Sequence, residues 1–323
     1  MKNKNVERRL FMKGSVGVAV AAGLAQSAMA ASAGSGQEAG AAKSIRVGGP
    51  SYAGSDDPEP LALWHRARGY RAAYCPNVSL EESARIRAIS EAFAKHDVVI
   101  AEVGRWCNLL EAEAEKRRAN LDRVTEGLAL ADAIGARCCV TIAGSYNPDV
   151  WYGPHPGNLS REFFDAAVEN ARAIIDSVKP KRAKFCYEMV GWSIPDSVDS
   201  YLALLDAVDR DAFAVHLDPC NLVNSPSRFY DNAGLLNDCF DRLAPWIVSC
   251  HAKDLTWDVE MNVHFREVCP GAGSLDYKTY LRRLAALPHD VPLMIEHLPN
   301  AEEYDKAREH IFKVGSELNI RFD

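Results

Sequence analysis

No strand-turn-helix segment of the 323-residue chain carries a glycine-rich dinucleotide fingerprint or a P-loop, so nothing seats a pyrophosphate on a helix N-terminus. Lysine and arginine form no basic cluster and the formal charge is −7, which excludes a surface built for the phosphate backbone of nucleic acid. No apolar run approaches the ~20 residues needed to span a bilayer. The nine cysteines lack the even count of a disulfide framework. Cys138, Cys139, Cys186 and Cys250 sit inside apolar strand-like runs, where a thiol acts as a small buried hydrophobe. With 48% hydrophobic and 25% charged residues the composition is that of an ordinary globular protein, so fold class must come from pattern.

Residues 1–33 read as a segment apart from the fold. Arg8-Arg9-Leu10-Phe11-Met12-Lys13 precedes a mild apolar run from Gly14 to Leu24, and small residues follow at 28–33. The stretch resembles a twin-arginine export signal, cleaved near Ala30 or Ala33, with residues 34–44 as a flexible linker and 45–323 as the catalytic domain. Cleavage leaves 32 basic residues against 43 acidic ones, a charge near −11. Export by this route implies a periplasmic or otherwise exported protein, with no stable membrane insertion and with its thiols packed away before they meet an oxidant.

From residue 45, β-rich runs alternate with helical patterns. The strand runs are 45–52, 71–75, 98–104, 137–144, 184–190, 213–218, 247–253 and 292–298. Between them lie a capping box at Ser79–Glu82, an Asn300…Glu303 helix start, a 3.6-residue period from Phe164 to Val178 ending at Pro180, and a helix opening at Pro195-Asp196-Ser197. Eight strand–helix repeats in about 280 residues predict a single-domain (β/α)₈ TIM barrel; an open flavodoxin-like sheet is the alternative.

In such a barrel, chemistry gathers at the C-terminal ends of the strands. Period-two alternation puts Glu188 on the inward face of strand five, His216 and Asp218 on six, Ser249, His251 and Lys253 on seven, and Met294 and Glu296 on eight. Three carboxylates and an imidazole converging in a closed space would repel one another and pick up protons unless a cation joins them. Oxygen-rich ligation with one nitrogen and no thiolate fits Mn²⁺ first, then Mg²⁺, Co²⁺ or Fe²⁺. The same geometry offers Glu102, His155 and the tryptophans 106, 151 and 192 as pocket residues, although Glu102 has Arg105 as an alternative partner.

Glu188, then Asp218-Pro219-Cys220-Asn221, His251-Ala252-Lys253-Asp254, Pro270–Asp276 and Glu296, in that order, resemble the xylose isomerase-like barrel superfamily of sugar phosphate isomerases and epimerases. The resemblance covers about residues 45–320, and the ketose 3-epimerases are nearest in site pattern. It implies a metal held by Glu188, Asp218, His251 and Glu296. Glu188 and Glu296 double as the acid–base pair that moves a proton beside a carbonyl through a cis-enediolate. It also implies substrate contacts from Asn221 and from Arg266, or His264 next to it; strand parity adds Lys253, one inward step beyond His251, and His216, one inward step deeper than Asp218, to the substrate side of the site. Asn221 stands where the ketose epimerases carry histidine, which puts the sugar in question.

The expected function is a metal-dependent isomerase or epimerase acting on an unphosphorylated sugar or keto-sugar derivative. A lyase or dehydratase on a 3-keto glycoside or inosose is the runner-up. An exported sugar- or metal-binding protein is the non-enzymatic alternative. A homo-oligomer is left open, and a nuclease is disfavoured by the acidic charge and by Asn221.

Overall fold

The computed structural model describes residues 44–322. The export segment and nearly all of the linker lie outside the described residues. The strands are β1 (Val47–Gly49), β2 (Ala72–Tyr74), β3 (Val99–Gly104), β4 (Cys138–Thr141), β5 (Lys184–Glu188), β6 (Phe213–Leu217), β7 (Ile247–Ala252), β8 (Asp254–Trp257), β9 (Phe265–Val268) and β10 (Leu293–Ile295). All but β8 and β9 form a closed parallel barrel in the order β1-β10-β7-β6-β5-β4-β3-β2. Closure excludes the open-sheet alternative. It also removes the exposed edges that an open sheet would have to protect.

The helices are α1 (Pro58–Ala67), α2 (Ser83–Lys95), α3 (Ala114–Ile134), α4 (Arg161–Val178), α5 (Val198–Val208), α6 (Pro226–Tyr230), α7 (Asn232–Leu243), α8 (Tyr277–Ala285) and α9 (Ala301–Glu317). Local chemistry sets their ends. The Asn300 side chain accepts from Glu303 N–H, Ser197 and Ser200 form a reciprocal capping box, and α3 stops at Gly135 in the left-handed region (φ 82°). The expected box at Ser79–Glu82 is half formed. Glu82 accepts from Ser79 N–H at 2.8 Å, but the helix starts only at Ser83. In α4 the buried aromatic is Phe163, not Phe164, which is half-buried.

The main core lies between strands and helices, while the barrel interior holds a separate small cluster of Cys138, Val140, Cys186 and Ala214. All nine cysteines are free; seven are buried, and Cys75 and Cys269 are half-buried. Among the described residues no helix is long and apolar enough to cross a membrane.

β8 and β9 were not foreseen. They pair only with each other, antiparallel, in a hairpin within the β7–α8 connection.

Candidate metal centre and cavity

Four side chains meet at the C-terminal mouth of the barrel. Glu188 is the last residue of β5, Asp218 and Glu296 come one residue after β6 and β10, and His251 lies within β7. Their ligand atoms all fall within 4.8 Å of one another. His251 Nδ1 stands 2.7 Å from Glu296 Oε1, 3.1 Å from Glu188 Oε1 and 3.4 Å from Asp218 Oδ2. Lys253 Nζ adds a cation, 2.6 Å from Glu296 Oε1 and 2.8 Å from Asp218 Oδ2.

These contacts are short but poorly aimed. Asp218 Oδ2 and Glu296 Oε1 are buried and receive no directional hydrogen bond, so proximity to Nζ and Nδ1 does not satisfy them. Crowding of lone pairs around one point, without donors aligned to them, is the arrangement of a ligand set. The charge agrees. Three carboxylates beside one ammonium and one imidazole leave an excess of negative charge, which a divalent cation would offset. The cluster therefore fits a divalent metal.

Behind it lies a second layer. Glu102, on β3, accepts from His251 Nε2 (3.2 Å) through one oxygen, and from His216 Nε2 (2.9 Å) and Ser249 Oγ (3.0 Å) through the other. Holding the proton of His251 on Nε2 turns the Nδ1 lone pair toward the carboxylates. Glu102 and His216, expected to touch substrate, are fully buried behind His251 and do not line the cavity. Their depth agrees with the reading of His216 as one inward step below Asp218 and takes Glu102 out of the cavity wall. Glu102 does not pair with Arg105, which donates to the Gly104 carbonyl instead.

Burial pushes the Glu188 carboxyl above the usual range. Burial acts the same way on Glu296, but His251 and Lys253 outweigh it and hold that carboxyl below the range. Burial would also discharge Lys253 and His251. For Lys253 the neighbouring Asp218, Glu188 and Glu296 prevail, and for His251 Glu296 and Glu102 do, so both are raised. Two glutamates at one centre are thus driven in opposite directions by their surroundings.

The frame around the centre is built by buried hydroxyls and one carboxylate. Tyr280 and Tyr277, on α8, donate to the carbonyls of His251 (2.8 Å) and Lys253 (2.9 Å), and Tyr201, on α5, donates to those of Tyr187 and Ala214. Asp254 accepts four backbone N–H groups, from Leu255 and Leu275 on one oxygen and Gly271 and Gly273 on the other. This folds the Pro270–Asp276 segment over its carboxylate. Glycine is required twice there, at Gly271 for its φ of 96° and at Gly273 because a Cβ would collide with Asp254. Asp276 then caps α8 through Thr279 N–H.

A cavity of about 890 Å³ opens above the centre. Glu188, Asn221, Lys253, Glu296, Trp106, Trp151 and Trp192 line it, as the sequence led us to expect. Asn221 Nδ2 donates to Glu188 Oε1 (3.2 Å) and its Oδ1 accepts from Lys253 (3.3 Å), so it ties the two together. Two expected substrate contacts lie elsewhere. His155 is exposed and caps a short 3₁₀ turn by accepting from Gly157 N–H. Arg266 points away from the cavity and is held by Asp258 across the hairpin, because its neighbours Phe265 and Glu267 take the inward positions. His264 does line the cavity.

His297 was missed. Alternation puts it outward, next to inward Glu296, but its φ of 59° returns it to the cavity, with Nδ1 3.2 Å from Glu267 Oε2.

No curated protein matches the chain by sequence. Solved structures share the fold at low identity. A xylose isomerase-like TIM barrel protein from Mycobacterium smegmatis in complex with magnesium superposes with TM-score 0.58 and 17% identity, covering 85% of this chain and 97% of the other. The 3-keto-D-glucoside 4-epimerase from E. coli gives 0.60 and 11%, over 84% and 99% of the chains. A probable 3-DHS dehydratase from Bacillus anthracis gives 0.59 and 14%, over 83% and 98%. A family model matches residues 66–314, and by it the chain belongs to the xylose isomerase-like TIM barrel family.

Proposed function

We propose that the protein is a divalent-metal-dependent sugar isomerase or epimerase, moving a proton on the carbon beside a carbonyl of an unphosphorylated sugar or keto-sugar derivative. The observation that carries this reading is the convergence of Glu188, Asp218, His251 and Glu296 at the mouth, with two buried carboxylate oxygens that no donor satisfies. Bound there, Mn²⁺ as first candidate, or Mg²⁺, Co²⁺ or Fe²⁺, supplies Lewis-acid polarisation of the carbonyl. Glu296, held ionised by His251 and Lys253, takes the proton from carbon, and the electron pair moves onto the carbonyl oxygen. Glu188, whose carboxyl burial pushes up, returns a proton to carbon as the pair moves back. The substrate's composition is unchanged.

Lys253 is the sole lysine or arginine among the described residues lining the cavity, and Asp218 and Glu296 already engage it. A phosphate would find no free cation, which supports an unphosphorylated substrate. The twin-arginine stretch supports the same choice and adds export to the proposal. The epimerase and dehydratase of like fold support an enzyme of this general chemistry.

A second reading uses the same groups. Proton removal beside a keto group, followed by loss of water or an aglycone, would make the protein a lyase, and a cavity with room beyond one sugar ring favours it.

Incubating the metal-loaded protein with keto sugars in D₂O tests both. We expect one deuterium per turnover at the carbon beside the carbonyl, and a loss of about 10²–10⁴-fold in that rate in Glu296→Gln. Retained mass apart from the isotope identifies epimerisation, and lost water or aglycone identifies elimination. A wild type that binds sugar yet neither exchanges nor eliminates would leave a binding protein and overturn the enzyme reading.

A further inference from the structure

We propose that the natural substrate is a glycoside, with its sugar over the carboxylates and an aromatic aglycone against the outer wall of the same cavity. This rests on the reading of the centre given above and adds the substrate class.

Size is the first observation. A free hexose has twelve non-hydrogen atoms and fills on the order of 200 Å³, if each is given about half of the ~30 Å³ share of a water molecule. The cavity measures about 890 Å³. A single sugar leaves most of it unfilled.

The division of the walls is the second. At the strand ends the lining is polar, with Glu188, Asn221, Lys253, Glu296 and His297. Trp106 belongs to this inner part, its ring 6.4 Å from that of His251, and offers a face to a sugar ring. The outer lining is largely apolar, with Asn224, His264 and Glu267 as its polar members, and comes from four successive connections. Trp151 and Tyr152 follow β4, Trp192 follows β5, Val223 follows β6, and Val263 and Phe265 come from the hairpin after β7. Sugar hydroxyls pressed against the indole and aliphatic faces of that wall would lose water without gaining partners, whereas an aromatic ring is favoured there by burial and by edge or face contacts with the indoles. Trp151, Tyr152 and Val263 are between 40% and 52% exposed, a rim continuous with the metal centre and open to a ligand that reaches outward from it.

A second copy of the chain is the competing occupant. Val259 and Met261 at the hairpin tip are fully exposed, but they do not line the cavity.

The test compares 3-keto-D-glucose with phenyl 3-keto-β-D-glucoside on the metal-loaded full-length protein, following deuterium exchange and phenol release. We expect kcat/KM to favour the phenyl glycoside by about tenfold or more. Trp192→Ala and Trp151→Ala should bring that ratio toward one, through KM for the phenyl glycoside. Equal kcat/KM in the wild type, or a preference that neither substitution changes, overturns the inference and leaves the proposed function standing. Absence of exchange and release with both substrates defeats the proposed function itself. Sedimentation velocity supplies the remaining arm. A dimer that Trp151→Ala dissociates, with no aglycone preference, assigns the rim to a second copy and overturns the inference.

Discussion

The two ends of the barrel treat charge in opposite ways. Before the strands, Arg46, Arg71 and Arg137 interleave with Asp97 and Asp290 in a chain of ion pairs that water still reaches. Every cation there has an anion, and screening keeps each pair weak. At the mouth, four carboxylates, Lys253 and two imidazoles are packed out of solvent with negative charge left over. Charge at the base helps to close the fold, and charge at the mouth waits for a ligand to complete it. Burial without full pairing is costly in a structural role, and this asymmetry marks the mouth as the functional end.

The difference can be broken most sharply through Glu102. An amide offers one acceptor where two imidazole donors and a hydroxyl need two oxygens. Glu102→Gln should weaken Mn²⁺ binding by about 10–100-fold in isothermal titration while the circular dichroism spectrum is kept. Unchanged affinity would show that Glu102 does not orient His251.

Proton linkage gives the next effect. In the metal-free protein His251 is raised because Glu296 and Glu102 outweigh burial, so it holds a proton that a metal must displace. Below that raised pKa, affinity should fall about tenfold for each unit by which pH drops, and recover as pH rises. Titrations in two buffers of different ionisation enthalpy measure the released proton; no release would contradict the ligand role of His251.

The smallest effect belongs to the base. Asp290→Ala removes the anion shared by Arg46 and Arg137, leaving Arg46 with Asp97 alone, and should cost about 1 kcal/mol or less in urea unfolding, with a smaller loss at high salt. Metal affinity should not change. A loss of affinity would mean that the two ends are not independent.

The parts of this molecule that obey a simple period could be read from the sequence. All eight barrel strands fall inside the expected runs, because alternation and flanking turn residues mark them. The clustering of Glu188, Asp218, His251 and Glu296 follows from parity and strand-end position alone. Exceptions to the period could not be read. His297 breaks parity through a left-handed backbone, which nothing in the sequence announces. Arg266 was assigned to the pocket through the resemblance to the ketose epimerases, and only the register of the unforeseen β8–β9 hairpin shows which of its residues face in. His155 looked like a pocket residue and instead answers a local demand for a cap. Glu102 was assigned to the pocket wall; its depth depends on how far each strand reaches before the mouth, a three-dimensional quantity.

The free thiols carry a chemical consequence. The two least buried, Cys75 and Cys269, are pushed by burial to about 11. At neutral pH only roughly one in ten thousand of either is then the reactive thiolate, against a few per cent for an ordinary cysteine. Alkylating reagents and mild oxidants, which act on that anion, have almost nothing to attack while the barrel is closed. The folded protein should therefore keep nine reduced sulfurs without added reductant, and thiol reactivity becomes a report of unfolding.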